Sequence, residues 1–171
     1  EATSGDHTFI GDRAGRYNTS GTANVCVGRQ AGQGHSGDKL TGDYNTYVGS
    51  YCGYLSSSGV QNVAVGYKAL YSQGTGSGNV CVGPEAGYDI TTGGTNCCFG
   101  NDAGRPITTG SNNICIGQDS GRATEPGGEI TTGSNRICLG DSEISSFYCA
   151  VSSINTSDKR DKTDITPLNG G

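Results

Sequence analysis

The sequence predicts an all-β protein: a parallel β-solenoid, or β-roll, of eight coils of approximately 17 residues each. Composition and an internal repeat lead to this fold class. Glycine supplies 31 of the 171 residues and hydrophobic residues only 32%, whereas glycine makes up about 7% of an average chain. This composition favours many tight turns between short strands over one large hydrophobic core. A solenoid suits it, because each coil packs only on its neighbours.

The internal repeat is anchored on a glycine that follows each short apolar run. Successive anchors are 17, 21, 17, 17, 17, 17 and 23 residues apart, so two coils carry insertions. A second glycine precedes the anchor by seven residues and a third follows it by four, with Leu70 as an exception. Glycines in register mark backbone positions that need a positive φ or a close approach to a neighbour. The anchors are Gly11, Gly28, Gly49, Gly66, Gly83, Gly100, Gly117 and Gly140.

Each predicted strand is a stretch such as Asn-Val-Cys-Val-Gly, found at residues 24–28 and 79–83. Its β-branched residues favour extended structure, and alternation assigns two faces. We expect the face of Val25, Val27 and their equivalents to fill the inside of the coil. The opposite face is also nearly apolar, which predicts that other copies of the chain cover it in a homo-oligomer. The resemblance described below implies an intertwined or side-by-side homotrimer, so we call this face the predicted trimer-interface column: Phe9, Cys26, Tyr47, Ala64, Cys81, Cys98, Cys115 and Cys138.

The cysteines of this column leave three interpretations open: apolar packing, interchain disulfides and metal binding. Five of the eight cysteines share the column, where they alternate with tyrosine and alanine as if only an apolar filler were required. Their spacing is not that of paired zinc ligands, and only His7 and His35 could add imidazoles. Packing is the favoured interpretation, and we expect neither a metal site nor a cofactor.

Charge and hydropathy exclude several classes of function. The net charge of −5 argues against a nucleic-acid partner, and no apolar run approaches the length of a membrane span. Glu85, Asp102 and Asp119 share one repeat position, which we interpret as a solvated acidic ladder and not as the paired carboxylates of a polysaccharide hydrolase. An ice-binding threonine array would be interrupted, and the period does not fit a calcium-binding nonapeptide repeat.

Two motifs resemble known families. The phrase N-[VI]-[CA]-[VI]-G-x-x-[AS]-G, at residues 24–32, 79–87 and 113–121, resembles the head repeats of trimeric autotransporter adhesins and, more closely, the distal parts of bacteriophage tail fibres. The string INTSDKRDKTDITPLNGG, at residues 154–171, resembles the opening of the intramolecular chaperone domain of phage tailspikes, endosialidases and long tail fibres. The resemblance implies a trimeric virion tail fibre whose partner is a host-cell glycan or protein. A bacterial surface adhesin is the alternative.

In the chaperone family the domain assists trimer assembly and then cuts its own chain. The resemblance places the cleaved bond at Ser157–Asp158, with Ser157 as the nucleophile and Lys162 as the activating amine. The family continues for roughly another domain beyond this motif, so we expect this chain not to cleave itself and not to be an enzyme. The expected organisation is a repeat solenoid at 1–140, a cap or connector at 141–156 and the start of the chaperone domain at 157–171.

The two insertions are candidate receptor loops, because insertions in a repeat protein map to loops on one face. They lie near residues 33–39 and 122–128. A plain solvated excursion is the alternative for both. The candidate receptor residues are His35, Asp38, Lys39, Arg122 and Glu125.

Overall fold

Eight short parallel strands stack in chain order in the computed structural model, which describes residues 5–35, 37, 39–122 and 128–146. Each strand pairs in register only with those of the preceding and following coils, and the described residues contain no helix. This confirms the predicted all-β solenoid. The strands are β1 (Thr8–Ile10), β2 (Val25–Val27), β3 (Thr46–Val48), β4 (Val63–Val65), β5 (Val80–Val82), β6 (Cys97–Phe99), β7 (Ile114–Ile116) and β8 (Ile137–Leu139).

Backbone hydrogen bonds join successive coils along three stretches. In the strands, the Val63 N–H donates to the Asn79 carbonyl at 2.8 Å. In the turn after the strand, the Gly87 N–H donates to the Ala103 carbonyl at 2.9 Å. Farther along the coil, the Thr91 N–H donates at 2.9 Å to the carbonyl of the equivalent threonine in the next coil. Because strands stack at about 4.8 Å, the seven intervals between eight strands give a rod about 34 Å long.

The predicted trimer-interface column lines the interior of the coil, and the valines lie outside. From Cys26 to Cys115 every member is fully buried within one chain, while the terminal members Phe9 and Cys138 are partly buried against the same core. On the opposite side of the strand, Val65 is 37% exposed. The prediction that other chains cover this column was therefore wrong, and so was the placement of the valines inside.

The reason for the inversion is the thinness of the coil. Gly87 has φ of +61°, and a Cβ at this glycine would lie 2.5 Å from the Cys81 sulfur. The turn therefore approaches the strand too closely for a valine or isoleucine to fit at most positions of the column, and cysteine or alanine fits. Other small or aliphatic side chains complete the interior, among them Ala31, Ala69, Ala86, Ala103, Ile90 and Ile107.

Leu70 takes the place of a turn glycine and is accommodated by a size exchange. Its φ is +53°, and its side chain is fully buried in the core. The same coil carries Ala64, the smallest side chain of the column, in the same cluster. A large turn residue beside a small strand residue keeps the total volume nearly constant, as close packing requires.

Candidate functional site

An exposed apolar stripe, the outer face, runs the length of the rod on the solvent side of the sheet. Exposure rises to 45% for Ile116 and to 68% for Ile137. None of its sixteen positions is charged, whereas solvated sheet faces usually carry charged or polar residues. The outer face consists of Thr8, Val25, Thr46, Val63, Val80, Cys97, Ile114 and Ile137, with Ile10, Val27, Val48, Val65, Val82, Phe99, Ile116 and Leu139.

A ladder of buried asparagines holds the start of each strand behind this face. The Asn79 side chain accepts from the Asn96 backbone N–H at 3.0 Å and donates to the Gly93 carbonyl at 2.9 Å. The pattern repeats along Asn24, Asn45, Asn62, Asn79, Asn96 and Asn113, all buried. Asparagine directly precedes six of the eight strands in the sequence, and this regular position is the signal from which the ladder could have been predicted.

Five tyrosines on the turn beside the sheet form a second surface, which we call the tyrosine ridge: Tyr51, Tyr54, Tyr67, Tyr71 and Tyr88. Tyr71 stacks between Tyr54 and Tyr88, with ring centroids 5.0 and 4.8 Å away. Tyr51 lies 5.6 Å from Tyr54 and meets Tyr67 edge-on at 6.5 Å. The sequence signal was the 17-residue spacing of three of these tyrosines, which sequence reasoning missed because they lie outside the strands.

Cations cover the rings of the ridge. The Lys68 Nζ lies 5.2 Å from the Tyr67 centroid and 5.9 Å from the centroids of both Tyr71 and Tyr88. The Arg29 guanidinium lies 5.4 Å from the Tyr51 ring, and that of Arg105 lies 5.1 Å from the Tyr88 ring. These distances allow cation–π attraction, so the ridge joins aromatic surface with positive charge.

The acidic column predicted as a solvated ladder is an ion-pair ladder. Arg105 contacts Glu85 and Asp102, each at 2.8 Å. Arg122 contacts Asp119 at 2.6 Å, and the hydrogen bond from Arg122 lowers the pKa of the Asp119 carboxyl. Because the chain supplies its own cations, these carboxylates are neutralised in place.

The candidate receptor residues are not brought together. His35 and Lys39 are exposed, and the His35 ring accepts a hydrogen bond from the Gly37 N–H at 3.2 Å. Arg122 belongs to the ion-pair ladder, five repeats farther along the chain. Asp38 and Glu125, and the cleavage residues Ser157 and Lys162, lie outside the described residues.

The seven described cysteines are present as thiols, five of them fully buried. Burial raises the pKa of the Cys26 thiol to about 12. A neutral buried thiol is a poor nucleophile and a poor metal ligand, which favours the packing interpretation. Within the described residues, no group of three or more His, Cys, Asp or Glu side chains is placed to hold a metal ion. That part of the chain likewise contains no helix able to cross a membrane.

Comparison of the chain with protein-family models, curated proteins and solved structures found no match.

Proposed function

We propose that this chain is a structural and receptor-binding segment of a phage tail fibre, a rigid homotrimeric rod in the virion that attaches to a host cell. The observation that carries the proposal is the outer face. Its sixteen uncharged positions form a stripe about 34 Å long that a single chain leaves in contact with water. Association of copies through this face removes the stripe from water, and the resemblance of the repeat supplies the number of copies as three.

Rigidity is what a rod for attachment needs, and the coil provides it. The asparagine ladder and the three stretches of backbone bonds tie each coil to the next. The surface displayed on such a rod binds a host-cell glycan or protein. The proposal includes neither nucleic-acid binding nor membrane insertion. Bending requires breaking several buried hydrogen bonds in one coil, each costly to leave unsatisfied.

A bacterial trimeric adhesin head is the second candidate, because it would use the same repeat and the same outer face. The chaperone-like motif at 154–171 favours the fibre. Self-cleavage stays a prediction for a chain that carries a whole chaperone domain after the motif: replacing Ser157 with alanine there should leave one product on a denaturing gel instead of two.

A polysaccharide-degrading tailspike is less well supported. Glycoside hydrolysis needs one carboxyl group that is protonated near neutral pH. Asp119 is held in the ionised form by Arg122, and Glu85 and Asp102 share Arg105. The ladder therefore suits a structural role.

Binding to intact cells tests the attachment function. A fluorescently labelled preparation of the chain, incubated with a panel of bacterial strains and measured by flow cytometry, should decorate a subset of strains. Unlabelled chain should displace the label, because a receptor is saturable. Uniform weak staining of every strain, or staining that excess unlabelled chain does not reduce, would contradict the proposal.

A further inference from the structure

We propose that the tyrosine ridge binds an acidic saccharide chain that lies along the axis of the solenoid. The inference rests on the proposed attachment function, since it names the chemical class of the receptor. It moves the binding site from the two insertions to the turns of the regular coils.

The first argument is uncompensated positive charge. Lys68 has no carboxylate within ion-pair distance among the described residues, although it lies over three tyrosine rings. Arg29 approaches only Asp12, at 3.9 Å, and both side chains are well exposed. The chain as a whole carries a net charge of −5, so the ridge is a local cationic site on an acidic molecule. Such a site favours an anion.

The second argument is exposed aromatic surface beside these cations. Tyr67 is the most exposed of the five rings, at 48%, and its contact with Tyr51 is T-shaped, at 6.5 Å between centroids. Unlike Tyr54, Tyr71 and Tyr88, it is not stacked face to face on another tyrosine of the ridge. The apolar C–H face of a pyranose packs on such a ring, while tyrosine hydroxyls hydrogen-bond to saccharide hydroxyls.

The third argument is spacing. Arg29 and Lys68, the two cations of the ridge with no carboxylate at close range among the described residues, belong to the second and fourth coils and so lie about 10 Å apart along the axis. The rise of one coil is similar to the advance of one residue in an extended pyranose chain. A saccharide with a carboxylate on every second residue therefore matches the cations in register, with sugar rings over the tyrosines between them.

Three probes of similar length distinguish an acidic saccharide from other ligands. A hyaluronan octasaccharide carries a carboxylate on every second residue, maltooctaose is neutral, and a single-stranded oligothymidylate is a phosphate polyanion. Isothermal titration at physiological salt should show binding of hyaluronan at least tenfold tighter than that of either other probe. No hyaluronan binding, or equal binding of maltooctaose or oligothymidylate, would overturn the proposal.

Substitutions locate the site. We expect Lys68→Gln and Tyr67→Ala each to weaken hyaluronan binding about fivefold or more. Lys39→Gln is the matched control, because Lys39 is an exposed lysine in a candidate receptor loop, and it should leave binding unchanged. Loss of binding in Lys39→Gln with none in Lys68→Gln would place the site in the loop and refute the ridge.

A measurement on the unaltered chain covers the case of a misfolded variant. In its NMR spectrum, added hyaluronan should shift ring signals of the ridge tyrosines and leave those of Tyr44, an exposed tyrosine outside the ridge, in place. The reverse pattern would refute the ridge. If the chain is a trimer that decorates cells but does not bind hyaluronan, only the inference about the ridge is wrong. If it is a monomer that binds hyaluronan at the ridge, the proposed fibre is wrong and the ridge site is supported.

Discussion

At the scale of single residues, the interior of the coil selects side chains by size and keeps them chemically inert. The turn glycines approach the strand so closely that cysteine and alanine fill most of the column. Burial raises the pKa of the Cys26 thiol to about 12 and that of the Cys52 thiol as well. Cysteine here is a small apolar filler and not a reactive group.

The raised thiol pKa values predict loss of stability in alkali. Between the ordinary pKa of 9.0 and the folded value of about 12 for Cys26, the unfolded chain loses a proton that the folded chain keeps. The free energy of unfolding should be level up to about pH 8 and fall above about pH 9, by up to roughly 1.4 kcal/mol per pH unit for each such thiol. Urea titrations across this range measure it.

The matched variant for this prediction is Cys26→Ala. Alanine is a suitable replacement because Ala64 already occupies a buried position of the same column. Removing one ionisable thiol should make the alkaline decline shallower. A slope identical to that of the unaltered chain would show that Cys26 does not contribute.

The burial of the cysteines also shows what alternation along the strand could not predict, namely which of the two faces fills the interior. Alternation identified two apolar faces correctly, but it carries no information on how much space each face has. The size difference between Cys81 and its neighbours Val80 and Val82 was the available signal. Together with the turn glycine Gly87, it indicates a thin interior on the cysteine side.

At the scale of elements, the asparagine ladder ties the coils together just before each strand. Asn79→Ala removes the acceptor of the Asn96 N–H and the donor to the Gly93 carbonyl, all buried. We expect a loss of about 3 kcal/mol in the free energy of unfolding, since buried partners are left unsatisfied. Chemical denaturation measures this loss.

Asn101→Ala is the control for the ladder prediction. Asn101 is exposed, and its side chain donates a hydrogen bond to the carboxylate of its neighbour Asp102; its backbone bond to Asp119 is kept in the variant. The expected change is below about 0.5 kcal/mol, as for most surface substitutions. Equal losses in the two variants would mean that the ladder does not hold the coils together.

The exchange between Leu70 and Ala64 gives a second element-scale prediction. Leu70→Gly restores the repeat consensus and removes strain of about 1 kcal/mol at φ of +53°. It also leaves a cavity that costs about 2–4 kcal/mol, so the variant should be less stable. Thermal or urea unfolding measures the net effect.

Adding Ala64→Cys to Leu70→Gly should recover at least half of that loss, because the cysteine sulfur occupies part of the cavity and completes the regular coil. A double variant no more stable than Leu70→Gly would refute the volume exchange.

The repeat predicted where the strands end, since each stops at the residue before its anchor glycine. It did not predict this exchange, which depends on volumes across the coil.

At the scale of the whole molecule, the outer face decides whether the rod exists alone. The sequence argument placed other copies on the cysteine face, which the chain itself buries; the apolar stripe left in water is that of the valines, and our proposal therefore places the copies there. The tyrosine ridge lies on the adjoining turns and could not be predicted from strand alternation. The 17-residue spacing of Tyr54, Tyr71 and Tyr88 was its signal in the sequence.

Charge placed on the outer face should dissociate the assembly without unfolding the chain. The double variant Val65→Lys/Ile116→Lys puts lysines on exposed positions of two strands that are not neighbours, so the two charges are not paired across the sheet. We expect a folded monomer by light scattering, with an unchanged far-ultraviolet circular dichroism spectrum. The control Thr92→Lys, at an exposed position outside the strands, should leave the assembly intact. Dissociation of this control variant would contradict the role of the outer face as the interface.

The native mass of the chain most directly tests the central claim, that the outer face joins copies into a trimeric rod. Light scattering after size exclusion, in reducing buffer and at low concentration, should give three times the chain mass of 17.4 kDa, with no disulfide required. A folded monomer under these conditions would show that water tolerates the outer face, and would contradict both the trimer and the fibre built on it.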